Sequence, residues 1–137
     1  MKQADKKHLY RRPWWVVFGR STMPHWWDRF IDADFGHVFA WTEYPGTRQV
    51  IVIDPAIEGL VVNFPSGGSA ELVELALSRN MRVLFTHVDR PSYTLTRRWL
   101  IMNCATVASY AMGLPVAPMT PKQLYRWLIN HGATIID

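Results

Sequence analysis

The chain has 137 residues, enough for one domain with a sizeable core and too few for two. Apolar residues make up 49% of it and charged residues 19%, which excludes intrinsic disorder. A single cysteine excludes a disulfide framework and any multi-cysteine metal site, and a solvated basic surface accounts for the formal net charge of +4 without an anionic partner.

Residues 1–12 read as a basic arm carrying Lys2, Lys6, Lys7, Arg11 and Arg12, and residues 13–137 as a single domain. Only five apolar residues, Trp14 to Phe18, follow the arm, too few for the apolar core of a secretory signal. No apolar run approaches the roughly 20 residues of a membrane span. Synthesis in the cytoplasm, with no transmembrane segment, is the expectation. Trp14 to Phe18 itself reads as a short buried strand ended by Gly19. Pro24 then opens a short helix through Ile31, with proline in the first turn where its missing N–H costs nothing. Asp32, Asp34 and Gly36 mark the turn that follows.

Two strands come next, His37–Glu43 and Arg48–Asp54, around Tyr44-Pro45-Gly46-Thr47, a Pro-Gly turn between runs rich in Val, Ile, Phe and Trp. A symmetric turn pairs Glu43 with Arg48, Trp41 with Val50, Phe39 with Val52 and His37 with Asp54. That register gives one charge pair and two aromatic–β-branched pairs on one face, the combinations cross-strand packing favours. It also sets Asp54 opposite His37. A loop longer or shorter by one residue would send Asp54 to the other face.

Ile57 to Phe64 reads as a further strand and Pro65-Ser66-Gly67-Gly68 as a loop. Ser69 caps an amphipathic helix to about Arg79, carrying Leu72, Val73, Leu75, Ala76 and Leu77. Met81 to Val88 reads as a strand ended by Asp89-Arg90-Pro91. Asn103 is a good N-cap for a helix that puts Cys104, Val107, Ala108 and Ala111 on one face before Gly113 and Pro115 stop it. Small residues there let the helix lie close to a sheet. Thr120-Pro121-Lys122-Gln123 combines an N-cap, a first-turn proline and a capping-box glutamine, and opens a final helix through Leu124, Trp127 and Leu128.

Chemistry concentrates on three residues. Cys104 stands at a helix N-terminus, where the dipole favours thiolate. His37 supplies an imidazole to act as base toward the thiol and acid toward a leaving group. Asp54 supplies a carboxylate to orient that imidazole. The Cys104 backbone N–H is placed to donate to an oxyanion. Each has a plainer role open to it: Cys104 as a small core residue, His37 as a solvated strand end, Asp54 as a turn former before Pro55. His87, at the end of a strand, is the runner-up base. His25 sits among Trp26 and Trp27, and His8 and His131 lie in terminal segments. No His-Glu-x-x-His pattern or Gly-rich phosphate loop occurs, so neither a metal nor a nucleotide cofactor is expected. Basic residues near aromatics are too unspecific to argue for nucleic acid.

His37 within Gly36-His37-Val38 at a strand start, a polar residue on the next strand, and Asn103-Cys104 at a helix start resemble the circularly permuted papain-like superfamily. This is the permuted branch of the NlpC-type peptidases that includes the lecithin:retinol acyltransferase-like proteins. In the unpermuted enzymes the cysteine helix precedes the histidine strand; here the order is reversed. The similarity covers roughly residues 35–113. It implies an α+β fold, with an antiparallel sheet or small barrel against which the helix bearing the nucleophile packs. It also implies roles for Cys104 as nucleophile, His37 as general base and Asp54 as the third member. The activity implied is a cysteine hydrolase, an amidase or peptidase on cell-wall peptide working through an acyl-enzyme, with thioester or lipid acyl transfer as the other chemistry of the fold. The stretch between Asp54 and Asn103 departs from the pattern, which leaves the substrate open. Length, the Pro24–Phe30 segment and the Thr120–Tyr125 stretch resemble small proteins encoded by tailed bacteriophages. The alternative that follows is a non-catalytic virion or tail component using the fold for protein interaction.

Overall fold

A computed structural model describes residues 11–20, 33–44, 46–56, 59–89 and 103–137. The fold is mixed α+β. Six strands form one antiparallel sheet: β1 (Arg12–Gly19), β2 (His37–Glu43), β3 (Val50–Ala56), β4 (Gly59–Asn63), β5 (Arg82–Val88) and β6 (Thr134–Ile136). Their order is β4-β3-β2-β1-β5-β6, an open sheet with β4 and β6 at its ends. Among the described residues there are three α-helices: α1 (Ser69–Ser78), α2 (Cys104–Met112) and α3 (Pro121–Asn130). The expected helix from Pro24 to Ile31 and residues 1–10 of the expected arm lie outside the described residues. Arg12, assigned to the arm, instead opens β1 opposite Val88.

β1 runs through the middle of the sheet and is apolar on both faces, as a strand covered twice must be. Trp14, Val16 and Phe18 enter one core with Val38, Ala40 and Leu84 beneath Ala105, Ala108 and Met112 of α2 and Leu124 and Leu128 of α3. Val17 enters the other core with Trp41, Val50 and Val83 beneath Ala76 of α1. Helix α1 thus covers one face and the α2–α3 pair covers the opposite one.

The β2–β3 register differs from the symmetric expectation by two residues. Glu43 pairs with Val50, Thr42 with Ile51, Trp41 with Val52 and Ala40 with Ile53. A tight turn does form at Gly46: the Thr47 N–H donates to the Tyr44 carbonyl at 3.1 Å, with Gly46 at φ 75°. Arg48 and Gln49 nevertheless remain in the loop. The Thr47 hydroxyl donates to the Tyr44 carbonyl and accepts from the Gln49 N–H, and the loop closes only at Tyr44 N–H to Gln49 O, 2.8 Å. Side-chain bonding by a threonine has replaced two rungs of the ladder.

Other expectations also shift. Gly68, not Ser69, is the N-cap of α1, and the Ser69 hydroxyl donates instead to Glu43 Oε1 at 2.9 Å, tying the helix start to the end of β2. Leu75 points outward, because positions 72, 73, 76 and 77 already complete the buried stripe. The buried face of α2 is Ala105, Thr106, Ala108, Ser109 and Met112, rotated from the expected Cys104–Val107–Ala108–Ala111 set. Two of its residues are polar and find partners: Thr106 Oγ1 donates to the Pro118 carbonyl at 3.0 Å and Ser109 Oγ to that of Val116 at 2.7 Å. Strand β6 was not expected from the sequence.

Candidate active site

Helix α2 begins where the sequence places its cap. Asn103 is extended, and its side-chain oxygen accepts from the Thr106 N–H at 3.0 Å. Its amide also donates to the Met119 carbonyl at 2.6 Å. With Thr106 and Ser109 it forms a row, three residues apart, that fastens α2 to the chain segment 116–119. That segment is held in turn by α3, whose Gln123 side chain accepts from the Met119 N–H at 2.8 Å. Cys104 is the first residue of the helix and half-buried. Its N–H precedes the first intrahelical bond, from Val107 to the Asn103 carbonyl, and so points out of the helix end.

His37 opens β2 directly after Gly36 and pairs with Gly19 of β1. The observed β2–β3 count sets Asp54 two positions from the residue opposite His37. A slip of two keeps strand parity, so both side chains stay on one side of the sheet as diagonal neighbours. The His37 Nε2–H donates to Asp54 Oδ1 at 2.6 Å. The short length fits a charge-assisted bond. The two side chains are 29% and 39% exposed, open enough for a substrate to reach.

Burial alone would lower the pKa of His37. It is overcome by the hydrogen bond to Asp54, by the neighbouring Cys104 sulfur and by the charge of Asp54, which together raise the pKa from the ordinary 6.5 to about 9. His37 therefore carries its proton at neutral pH, and the Cys104 thiol is near enough to act on it. Of the three candidate residues, His37 and Asp54 are in direct contact, and Cys104 lies within electrostatic reach of the imidazole.

His87 is not among them. It lies near the end of β5, and the β1–β2 and β1–β5 registers place that end of the sheet opposite the one that carries His37. There it lines a depression with Gly113 and Leu114, at the far end of α2 from Cys104, about 13 Å along the helix axis. Burial lowers its pKa, with the charge of Arg11 adding to the effect and Asp89 opposing it. Among the described residues, no group of three or more His, Cys, Asp or Glu side chains is arranged to hold a metal ion, and no helix is long and apolar enough to cross a membrane.

Reading the sequence missed the roles of Thr106 and Ser109 as anchors of α2. The available signal was their spacing, three and six residues after the Asn103 cap on an otherwise small apolar face. Comparison of the chain with protein-family models, with curated proteins and with solved structures finds no match.

Proposed function

We propose that this protein is a cysteine hydrolase of permuted papain-like type, an amidase or peptidase acting on cell-wall peptide. The observation that carries the reading is the 2.6 Å His37–Asp54 pair held beside a cysteine at a capped helix start. An imidazolium neighbour and a helix N-terminus are the two features that favour thiolate, the reactive form of cysteine.

The chemistry follows from the atoms. Cys104 Sγ attacks the scissile carbonyl, forming a C–S bond and a tetrahedral oxyanion that accepts from the Cys104 N–H. Asp54 occupies Nε2 of His37, which leaves Nδ1 as the nitrogen that exchanges protons at the sulfur side. His37 protonates the leaving amine as the C–N bond breaks, giving the acyl-enzyme. The neutral imidazole then takes a proton from water, whose oxygen attacks the thioester; the C–S bond breaks to release a carboxylic acid and the Cys104 thiolate, with His37 again protonated beside it.

The test is hydrolysis of cell-wall peptide followed by new amino ends, with the acyl-enzyme trapped and weighed by mass spectrometry. Cys104→Ala is expected to abolish both signals, and His37→Gln to slow turnover by about 10²-fold or more. Unchanged hydrolysis in Cys104→Ala would sink the reading.

A second reading has its own observation. Val61 and Val62 on edge strand β4 and Phe64 just after it are exposed, the kind of apolar edge that an assembly covers. As a virion or tail component the chain would assemble through this edge. Cys104→Ala would then leave assembly and biological output intact, while Val62→Lys would not.

A further inference from the structure

Beside the His37 end of the sheet lies a basic depression of about 350 Å³. It is lined by Gly19 and Arg20 at the end of β1, Asp34, Arg79 and Asn80 after α1, and Arg82 at the start of β5. Resting on the hydrolase reading above, we propose that it is a substrate subsite for an anionic group, a carboxylate or a phosphate, carried about three residues from the scissile bond.

The charge balance comes first. Among the described residues, three guanidiniums meet one carboxylate in this depression. Arg20 and Arg82 both face Asp34 at 3.8 Å, beyond hydrogen-bond length, so each fork keeps donors to offer. Among the described residues Arg79 makes no ion pair. A planar guanidinium presents parallel N–H groups that match the two oxygens of a carboxylate or phosphate.

The pocket is also built rather than incidental. Arg82 is held over the rings of Phe35 at 5.1 Å and Tyr125 at 6.0 Å, and these rings pack edge-on against Phe18 in the same core as α2. Its charged end is therefore positioned before any ligand arrives, on the face of the sheet that Cys104's helix covers. Just past the Arg79 cap of α1, Asn80 at φ 58° is a left-handed residue that turns the chain back at once into Met81 and β5, with Arg79 and Arg82 on the same depression. Gly19 completes the wall. A Cβ there would stand 3.1 Å from Met81 Cγ, so any larger residue would press on the side chain behind the depression.

Position then links the depression to the chemistry. Gly19 pairs with His37, and Phe18, its neighbour, pairs with Arg82. The depression therefore starts one strand from His37 and reaches the second, about 10 Å away at ~4.8 Å per strand. An extended substrate covers that span in about three residues at ~3.3 Å each.

The probes are succinyl-Ala-Ala-p-nitroanilide, with a carboxylate at that reach, and its acetyl counterpart without one. Binding is measured by calorimetry on the full chain carrying Cys104→Ala, and turnover on the wild type. The succinyl probe is expected to bind about tenfold tighter, the worth of one charge-assisted contact. Arg79→Gln and Arg20→Gln, both at exposed side chains, are each expected to erase most of that preference and leave acetyl-probe binding unchanged. Inorganic phosphate and succinate are expected to compete with the succinyl probe, and the one effective at lower concentration names the anionic group. Equal affinity for the two probes, or a preference that survives both variants, overturns the subsite. So does a single-stranded oligonucleotide that displaces the succinyl probe with steep salt dependence, which would assign the arginines to nucleic acid. Succinyl preference without turnover of either probe supports the subsite and removes the hydrolase reading; equal turnover of both does the reverse.

Discussion

Asp54→Asn separates charge from shape at the His37 pair, because the amide keeps an acceptor oxygen and loses the charge. In the folded chain His37 is raised from the ordinary 6.5 to about 9 against the pull of its burial. Between those values the folded protein binds more protons than the unfolded one. The stability this contributes is complete below about pH 6.5 and is lost as the pH climbs toward 9. At ~1.4 kcal/mol per pH unit the limit is ~3 kcal/mol. Asp54 is 39% exposed, so solvent screening reduces the measurable part to about 1–2 kcal/mol. The assay is urea unfolding of the reduced protein from pH 5.5 to 9.5. The wild-type midpoint is expected to fall across pH 6.5–9 and that of Asp54→Asn to fall less steeply, because only the share that Cys104 contributes is left. Comparing the two cancels other groups that titrate in this window. Parallel curves for both proteins would refute the reasoning, since the carboxylate would then contribute nothing to the proton held at His37.

Other outcomes follow from the same geometry. Iodoacetamide should modify Cys104 faster at pH 6–7 in the wild type than in His37→Gln; rate profiles that coincide near a free-thiol midpoint of ~8.5 would remove any activation by His37. Asn103→Ala deletes a cap and the anchor to Met119, and should cost about 1–2 kcal/mol in denaturant unfolding; a loss below ~0.5 would mean that α2 is held by its apolar face alone. Ala108→Leu forces a larger side chain between α2 and the sheet and should cost about 1–3 kcal/mol. Deleting Arg48 alone should disturb the His37–Asp54 pair by reversing strand parity, whereas deleting Arg48 and Gln49 together should preserve it, as read from the His37 titration by NMR.

Parity explains why the candidate site was legible although the register was misjudged. The symmetric turn placed Asp54 opposite His37, and the chain instead retains Arg48 and Gln49 in the loop. An error of two leaves every side chain on its face, so the pair survives as a diagonal contact. An error of one would have broken it. The Asn103 cap was legible because capping is local: Asn103 needs only the N–H three residues on. The rotation of α2 was not, because its buried face is decided by carbonyls at 116 and 118 that Thr106 and Ser109 reach only in the folded chain. Strand β6 is three residues at the sheet's end, too short to carry a period. The arginine depression drew its members from the ends of β1 and α1, the start of β5 and the turn before β2, so no window of sequence contained it.

Two separate devices therefore set the relation between thiol and imidazole. Strand parity holds His37 to Asp54 from within the sheet. The row of Asn103, Thr106 and Ser109 fixes how far α2 slides along that sheet, and it does so through a segment that α3 secures. The small side chains of Ala105 and Ala108 set the height of the helix above the strands. Slide and height are independent directions. A change at Thr106 should move Cys104 along the groove with little effect on the proton held by Asp54. A change at Ala108 should lift the thiol away from His37 and remove the part of the raised pKa that comes from Cys104. The carboxylate and the thiol act on one imidazole but are positioned by different parts of the chain, so a substitution that disturbs one share of the His37 pKa should leave the other in place.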